Sequence, residues 1–242
     1  MSHRNPIGLL AALLLAPLYS VPSAEPPEND YARWEKDIAA FESSDAVHPP
    51  PKGALLFVGS STVRMWSTLA QDFPRRQIVN RGFGGSQIED ATRFAPRIIF
   101  PCAPRAIYLR AGGNDLWAGK SVEQVFADFK EFVATIHAKL PETDIVFISL
   151  SPSIARWKQA NETKALNMLV SDFVKGKARL RYIETYDSTL GPDGQIRPEL
   201  FLKDGLHFNT EGYKVLAALV RADLPESAPS NAAPSKKRSD SE

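Results

Sequence analysis

The sequence predicts a doubly wound α/β fold built on a five-stranded parallel sheet. Two observations carry this expectation. Five short, nearly continuous apolar runs recur along the chain, and each ends in glycine, serine or other polar residues. Helical patterns with one apolar face lie between them. Uniformly apolar strands suit a parallel sheet covered on both faces, and strand–helix alternation is the signature of an α/β domain.

The elements follow in order. A helix is expected over about Asp30 to Glu42. The first strand is Leu55-Leu56-Phe57-Val58, ended by Gly59, and the second is Ile78-Val79, before a glycine-rich turn. The third, Ala106 to Leu109, runs toward Gly112-Gly113. The clearest helix covers Val122 to Leu140, with Val122, Val125, Phe126, Phe129, Val133, Ile136 and Leu140 on one face. Ser121 and Gln124 offer it a capping box. The fourth strand, Ile145 to Ile148, precedes Ser151-Pro152. A helix over Asn161 to Lys175 is closed by Gly176. The fifth strand falls within Leu180 to Tyr186. A last helix starts at Asn209 or Thr210 and carries Tyr213, Leu216, Leu219 and Val220.

Composition narrows the function classes. The chain has 242 residues, 43% hydrophobic and 24% charged, enough for one domain with a real core. Its net charge is +1, with opposite charges interspersed. That balance gives no field for nucleic acid, and no nucleic-acid partner is expected. The single cysteine, Cys102, makes neither an internal disulfide nor a cysteine metal cluster, and reads as a small buried hydrophobe.

The two ends differ from the middle. Arg4, the apolar run Ile7 to Leu18 and the small residues Ser20 to Ala24 read together as a secretory signal peptide over residues 1–24. Cleavage is expected between Ser20 and Ala24. The apolar run falls short of the ~20 residues of a membrane span, so no stable membrane insertion is expected after cleavage, and the mature chain is expected to be secreted or periplasmic. Residues 226–242 are polar and proline-bearing, the composition of a disordered tail. Residues 25–225 are left as the folded domain.

The residues able to do chemistry sit where strands end, the place where open α/β sheets bind ligands. Gly59-Ser60-Ser61-Thr62 leads from the first strand into Val63-Arg64-Met65-Trp66. A serine there suits either a helix cap or an exposed hydroxyl beside a helix N-terminus. After the second strand, Gly82-Phe83-Gly84-Gly85-Ser86 lets backbone N–H groups approach a substrate. Gln87 stands where a further glycine would complete a dinucleotide fingerprint, which disfavours a nucleotide- or flavin-binding protein. After the third strand comes Gly112-Gly113-Asn114-Asp115, and an asparagine amide on a tight loop is a neutral donor for an oxyanion. Among four histidines, only His207 lies in a loop just before a helix with an aspartate, Asp204, three residues upstream. An aspartate so placed can accept from one ring nitrogen and leave the other free as a base.

Serine, glycine, asparagine and Asp-x-x-His, in that order at strand ends, resemble the SGNH hydrolases, the GDSL esterase and lipase superfamily, over about Ala54 to Leu224. The resemblance implies a flavodoxin-like three-layer α/β/α sandwich and ester cleavage without a cofactor or a metal. It maps the nucleophile to Ser61, with Ser60 standing where the family has aspartate. It maps the orienting acid and base to Asp204 and His207. The oxyanion donors become the Ser61 and Gly85 backbones and the Asn114 side chain, with Gly84 the alternative to Gly85. The expected partner is a small-molecule ester, with short-chain or acetyl esters first, carbohydrate-borne ones included. A lysophospholipase or thioesterase activity, or a non-catalytic binding module, are the alternatives. Trp66, Trp117 and Trp157 follow strands and are candidates for the rim of the site, as are Arg64, Arg110 and Arg156 for an anionic substrate.

Overall fold

The computed structural model describes residues 31–224. The expected signal peptide and tail lie outside them.

A 3₁₀ turn at Tyr31–Trp34 leads into α1, Glu35–Val47, and then β1, Leu55–Gly59. Two single turns follow, α2 at Ser61–Arg64 and α3 at Leu69–Asp72. Next come β2 at Ile78–Gly82, α4 at Ile88–Ile98 and β3 at Ala106–Arg110. The turn α5, Gly113–Trp117, precedes α6, Val122–Lys139, and β4, Asp144–Ile148. The chain continues through α7, Ala160–Val174, β5, Leu180–Ile183, and α8, Thr210–Asp223.

The five strands form one parallel sheet in the order β2-β1-β3-β4-β5. Side chains alternate across it, as the two-residue period of a strand requires. Leu56, Val58, Ile107, Leu109, Ile145 and Phe147 face a core filled by Ile38 of α1, Phe94 of α4, Phe129 of α6 and Leu166 of α7. Leu55, Phe57, Tyr108, Val146 and Ile148 face the opposite core, with Trp66, Leu69, Tyr213, Leu216 and Val220. The result is the expected three-layer α/β/α sandwich.

Several boundaries differ from expectation. The first helix starts at Glu35 and runs on to Val47. β5 stops at Ile183, because Thr185 is pulled into contacts with Ser149 and Tyr186 into the turn that follows. Helix α4 was not among the expected elements. Its apolar face is regular, with Ile88, Ala91, Phe94, Ala95 and Ile98 buried, and Asp90 Oδ2 accepts from the Gln87 N–H at its start (2.7 Å).

The topology sets up the site. The chain leaves β1 toward β2 on one side and returns to β3 on the other. Loops after β1 and β3 therefore diverge, and the crevice between them is where this class of sheet binds its ligand.

Candidate active site

Gly59 ends β1 at φ +154°, and a Cβ there would lie 2.2 Å from the Arg110 carbonyl oxygen. Only glycine allows the two strand ends to approach this closely. The chain then turns at once, and Ser61 opens the single turn α2. That turn is clamped from outside. Asn80 Nδ2 donates to the Val63 carbonyl (2.8 Å), and Tyr213 Oη donates to the Thr62 carbonyl (2.9 Å). Ser60 is the residue before the turn, but its side chain makes no capping hydrogen bond.

The loop before α8 brings His207 across 146 sequence positions to the serine. His207 Nε2 lies 3.0 Å from Ser61 Oγ. His207 Nδ1 lies 2.7 Å from Asp204 Oδ2. The other carboxylate oxygen of Asp204 accepts from the Leu206 and His207 backbone N–H groups at 2.9 and 3.0 Å. These three donors, with the His207 ring first, pull the Asp204 carboxyl down to about 2. The loop is anchored by Asn209, whose Oδ1 caps α8 while Nδ2 reaches the Glu199 and Phe201 carbonyls.

Two glycine loops complete the wall. Gly85 has φ +79° and sits with Gly84 on the same cavity as Ser61, Asn114 and His207. Both glycines line it, so Gly84 and Gly85 stay equally placed. Gly84 packs under the Arg64 guanidinium. Gly112, at φ +119°, turns the chain so that Asn114 faces back toward the second loop. Asn114 Nδ2 donates to the Ser86 carbonyl (3.0 Å), and Asp115 Oδ1 accepts from the Ile88 N–H (3.0 Å). Asn114 and Asp115 thus pin the segment that carries Gly85. The cavity has a volume of about 440 Å³. Among the described residues, no group of three His, Cys, Asp or Glu side chains is placed to hold a metal.

The aromatic and arginine candidates divide. Trp66 does not reach the rim. It is 2% exposed, packs against Phe57, Phe73 and Tyr213, and donates Nε1 to Asp72 (2.7 Å). Its place in the turn after β1 points it under the sheet. Trp117 and Trp157 are exposed beside the cavity without forming its wall. Arg110 lines the cavity but is only 5% exposed. It donates to the Ser149 carbonyl and to the Thr185 and Ser151 hydroxyls, and burial lowers it to about 10. Arg156 donates to Asn114 Oδ1 (3.0 Å) and the Gly113 carbonyl (3.1 Å). The clamping roles of Asn80, Tyr213 and Asp115 were not expected from the sequence, because each acts through a backbone group that carries no residue signature.

Comparison with known proteins agrees with this layout. Residues 57–215 match the GDSL-like Lipase/Acylhydrolase family. A search of curated proteins finds no match. Among solved structures, a Streptococcus pneumonia protein named for platelet activating factor aligns with a TM-score of 0.70 at 19% identity, covering 79% of this chain and 93% of its own. A GDSL-like lipase from Bacteroides thetaiotaomicron aligns at 0.63 and 18%, covering 80% and 96%. An acetylxylan esterase from Geobacillus stearothermophilus aligns at 0.58 and 14%, covering 71% and 94%. At such identities these likenesses speak for the fold. With the match to the family over most of the folded residues, the chain belongs to the GDSL-like lipase/acylhydrolases and is a carboxylic ester hydrolase of the SGNH type.

Proposed function

We propose that this hydrolase works through a serine acyl-enzyme, with Ser61 as nucleophile, His207 as general base and Asp204 as the group that orients the ring. One observation carries the reading: His207 stands between Ser61 Oγ and Asp204 Oδ2, at 3.0 and 2.7 Å, with one ring nitrogen for each. Nδ1–H donates to the carboxylate, which leaves Nε2 to take the serine proton as Oγ attacks the ester carbonyl. The carboxylate then stabilises the imidazolium. In this reading the backbone N–H groups of Ser61 and Gly85, or Gly84 in its place, and the second amide proton of Asn114 Nδ2 stabilise the developing oxyanion. The imidazolium returns its proton to the departing alkoxide, and a water activated by His207 releases the acid.

Short-chain or acetyl esters are the proposed substrates, including acetyl groups on carbohydrate. Polar groups such as Ser151, Gln159 and Thr163 line the cavity, as they would for a hydroxylated leaving group. The Geobacillus stearothermophilus neighbour is an acetylxylan esterase, and changing one serine or one histidine to alanine gives its catalytic mutants. A lysophospholipase or thioesterase would also use this centre. An N-terminal signal peptide and a secreted or periplasmic site of action complete the reading.

The test replaces Ser61 and Ser60 separately with alanine and follows p-nitrophenyl acetate hydrolysis and fluorophosphonate labelling. Ser61→Ala is expected to lose both, with kcat down by about 10⁴ or more, and Ser60→Ala to keep both. Full activity in Ser61→Ala would overturn the assignment. Absence of labelling in the unsubstituted chain would favour a binding module.

A further inference from the structure

Asn114 is held by two partners of opposite kind, and the second of them has no part in the scheme above. Ser86 offers a carbonyl, which can only accept, and it meets Nδ2 at 3.0 Å. Arg156 offers a guanidinium, which can only donate, and it meets Oδ1 at 3.0 Å. An amide between an obligate acceptor and an obligate donor has one orientation. The Nδ2 group then spends one hydrogen on Ser86 and keeps the other for the cavity.

We propose that Arg156 is the positioning residue of the oxyanion hole: it fixes and polarises the Asn114 amide so that the free Nδ2 proton meets the tetrahedral oxygen. The inference rests on the serine-hydrolase reading above. A cationic donor on the amide oxygen draws charge from the nitrogen and strengthens its remaining N–H as a donor. The same guanidinium nitrogen donates to the Gly113 carbonyl (3.1 Å), so it holds the backbone of the turn as well as its side chain.

Arg156 is itself well placed for such a role. Its guanidinium stands over the exposed ring of Trp117, 5.1 Å from the centroid. No carboxylate among the described residues pairs with it. Most other hydrogen-bonded arginines do have one, as in Arg81–Asp45, Arg97–Glu35 and Arg181–Asp223. The backbone beside it is tied to the histidine loop, since the Ala155 N–H donates to the Gly205 carbonyl (3.0 Å). Ile154 packs where a Cβ on Gly205 would stand, which keeps the two segments in register. Arg156 also breaks the 3₁₀ segment Ile154–Gln159, at φ −122° and ψ 26°. That kink sets the path of its side chain toward Asn114.

A double-mutant cycle tests this. Arg156→Ala and Asn114→Ala are made singly and together, with kcat and KM measured on p-nitrophenyl acetate and on an anionic p-nitrophenyl hemisuccinate. Asn114→Ala is expected to lower kcat about 10²–10³-fold. Arg156→Ala is expected to lower it about tenfold or more, equally for both esters and with KM within about threefold, because only a bond realised in the transition state is weakened. In the Asn114→Ala background the Arg156 substitution is expected to cost less than about threefold, since the group it acts through is gone. The same fold-loss in both backgrounds overturns the proposal, as does a KM rise confined to the anionic ester, which would make Arg156 a substrate contact. If Arg156→Ala does not fold, Arg156→Gln is read in the same cycle, because it removes the guanidinium and its charge while keeping most of the side-chain stem. Failure of the cycle with an inactive Ser61→Ala overturns only the role of Arg156. An active Ser61→Ala overturns the serine-hydrolase reading itself.

Discussion

Asp115 makes stability depend on pH in an unusual direction. Its side chain is buried, with Oδ1 on the Ile88 N–H and Oδ2 unpartnered among the described residues. Burial raises the carboxyl from its ordinary 3.8 to about 7, and the Ile88 N–H and Lys120 temper the rise. Between those two values the folded chain keeps a proton that the unfolded chain releases. The unfolded state then binds fewer protons, so stability falls as pH rises through this window, by roughly 1.4 kcal/mol per pH unit. Across the window the loss comes to about 4 kcal/mol. Asp115→Asn removes the titration, and its Oδ1 still accepts from Ile88. Urea unfolding of both proteins from pH 4 to pH 8 reads the difference directly. Relative to Asp115→Asn, the unsubstituted protein is expected to be most stable at pH 4 and to lose about 4 kcal/mol of that advantage by pH 8. A difference that stays constant across the range, or that grows in favour of aspartate, would refute the reasoning.

Two further substitutions probe the site. Asp204→Asn keeps an acceptor for the Leu206 and His207 N–H groups, so the loop should hold and Tm should move little. It loses the carboxylate that selects the His207 tautomer, and kcat is expected to fall about 10²–10⁴-fold, the lower end reflecting a half-exposed carboxylate; steady-state kinetics checks this. Gly82→Ala would place a Cβ 2.2 Å from the Arg64 backbone nitrogen and 2.7 Å from the Val63 carbonyl carbon. Backbone must shift to accept it, so stability should drop by about 1–3 kcal/mol and kcat with it, as read by thermal melts and ester hydrolysis.

Much of this fold was legible because its signals are local. The apolar runs around Leu56, Ile107 and Ile145 are buried on both faces wherever they occur, and a run of that kind needs no partner to be recognised. The capping box at Ser121 and Gln124 formed as its spacing required. Helix α4 was not among the expected elements, although the period of its buried face, Ile88, Ala91, Phe94, Ala95 and Ile98, is equally local. Trp66 was misplaced for a different reason. Its position after β1 was readable, but which way a large ring turns depends on the space left by Phe57, Phe73 and Tyr213.

The sequence by itself determined the layer order, the strand ends and the residue types that gather there, because periodicity, turn chemistry and motif order are written along the chain. It also supplied the resemblance that the family match bears out. Only the tertiary structure decided the distances. Ser61 and His207 are separated by 146 positions and meet at 3.0 Å because the segments that follow β1 and β5 both lie at the carboxyl end of one parallel sheet. Arg156 and Asn114, 42 positions apart, meet for the same reason at the ends of β4 and β3. Such pairings follow from how the strands are ordered in space, and a linear pattern does not encode that order.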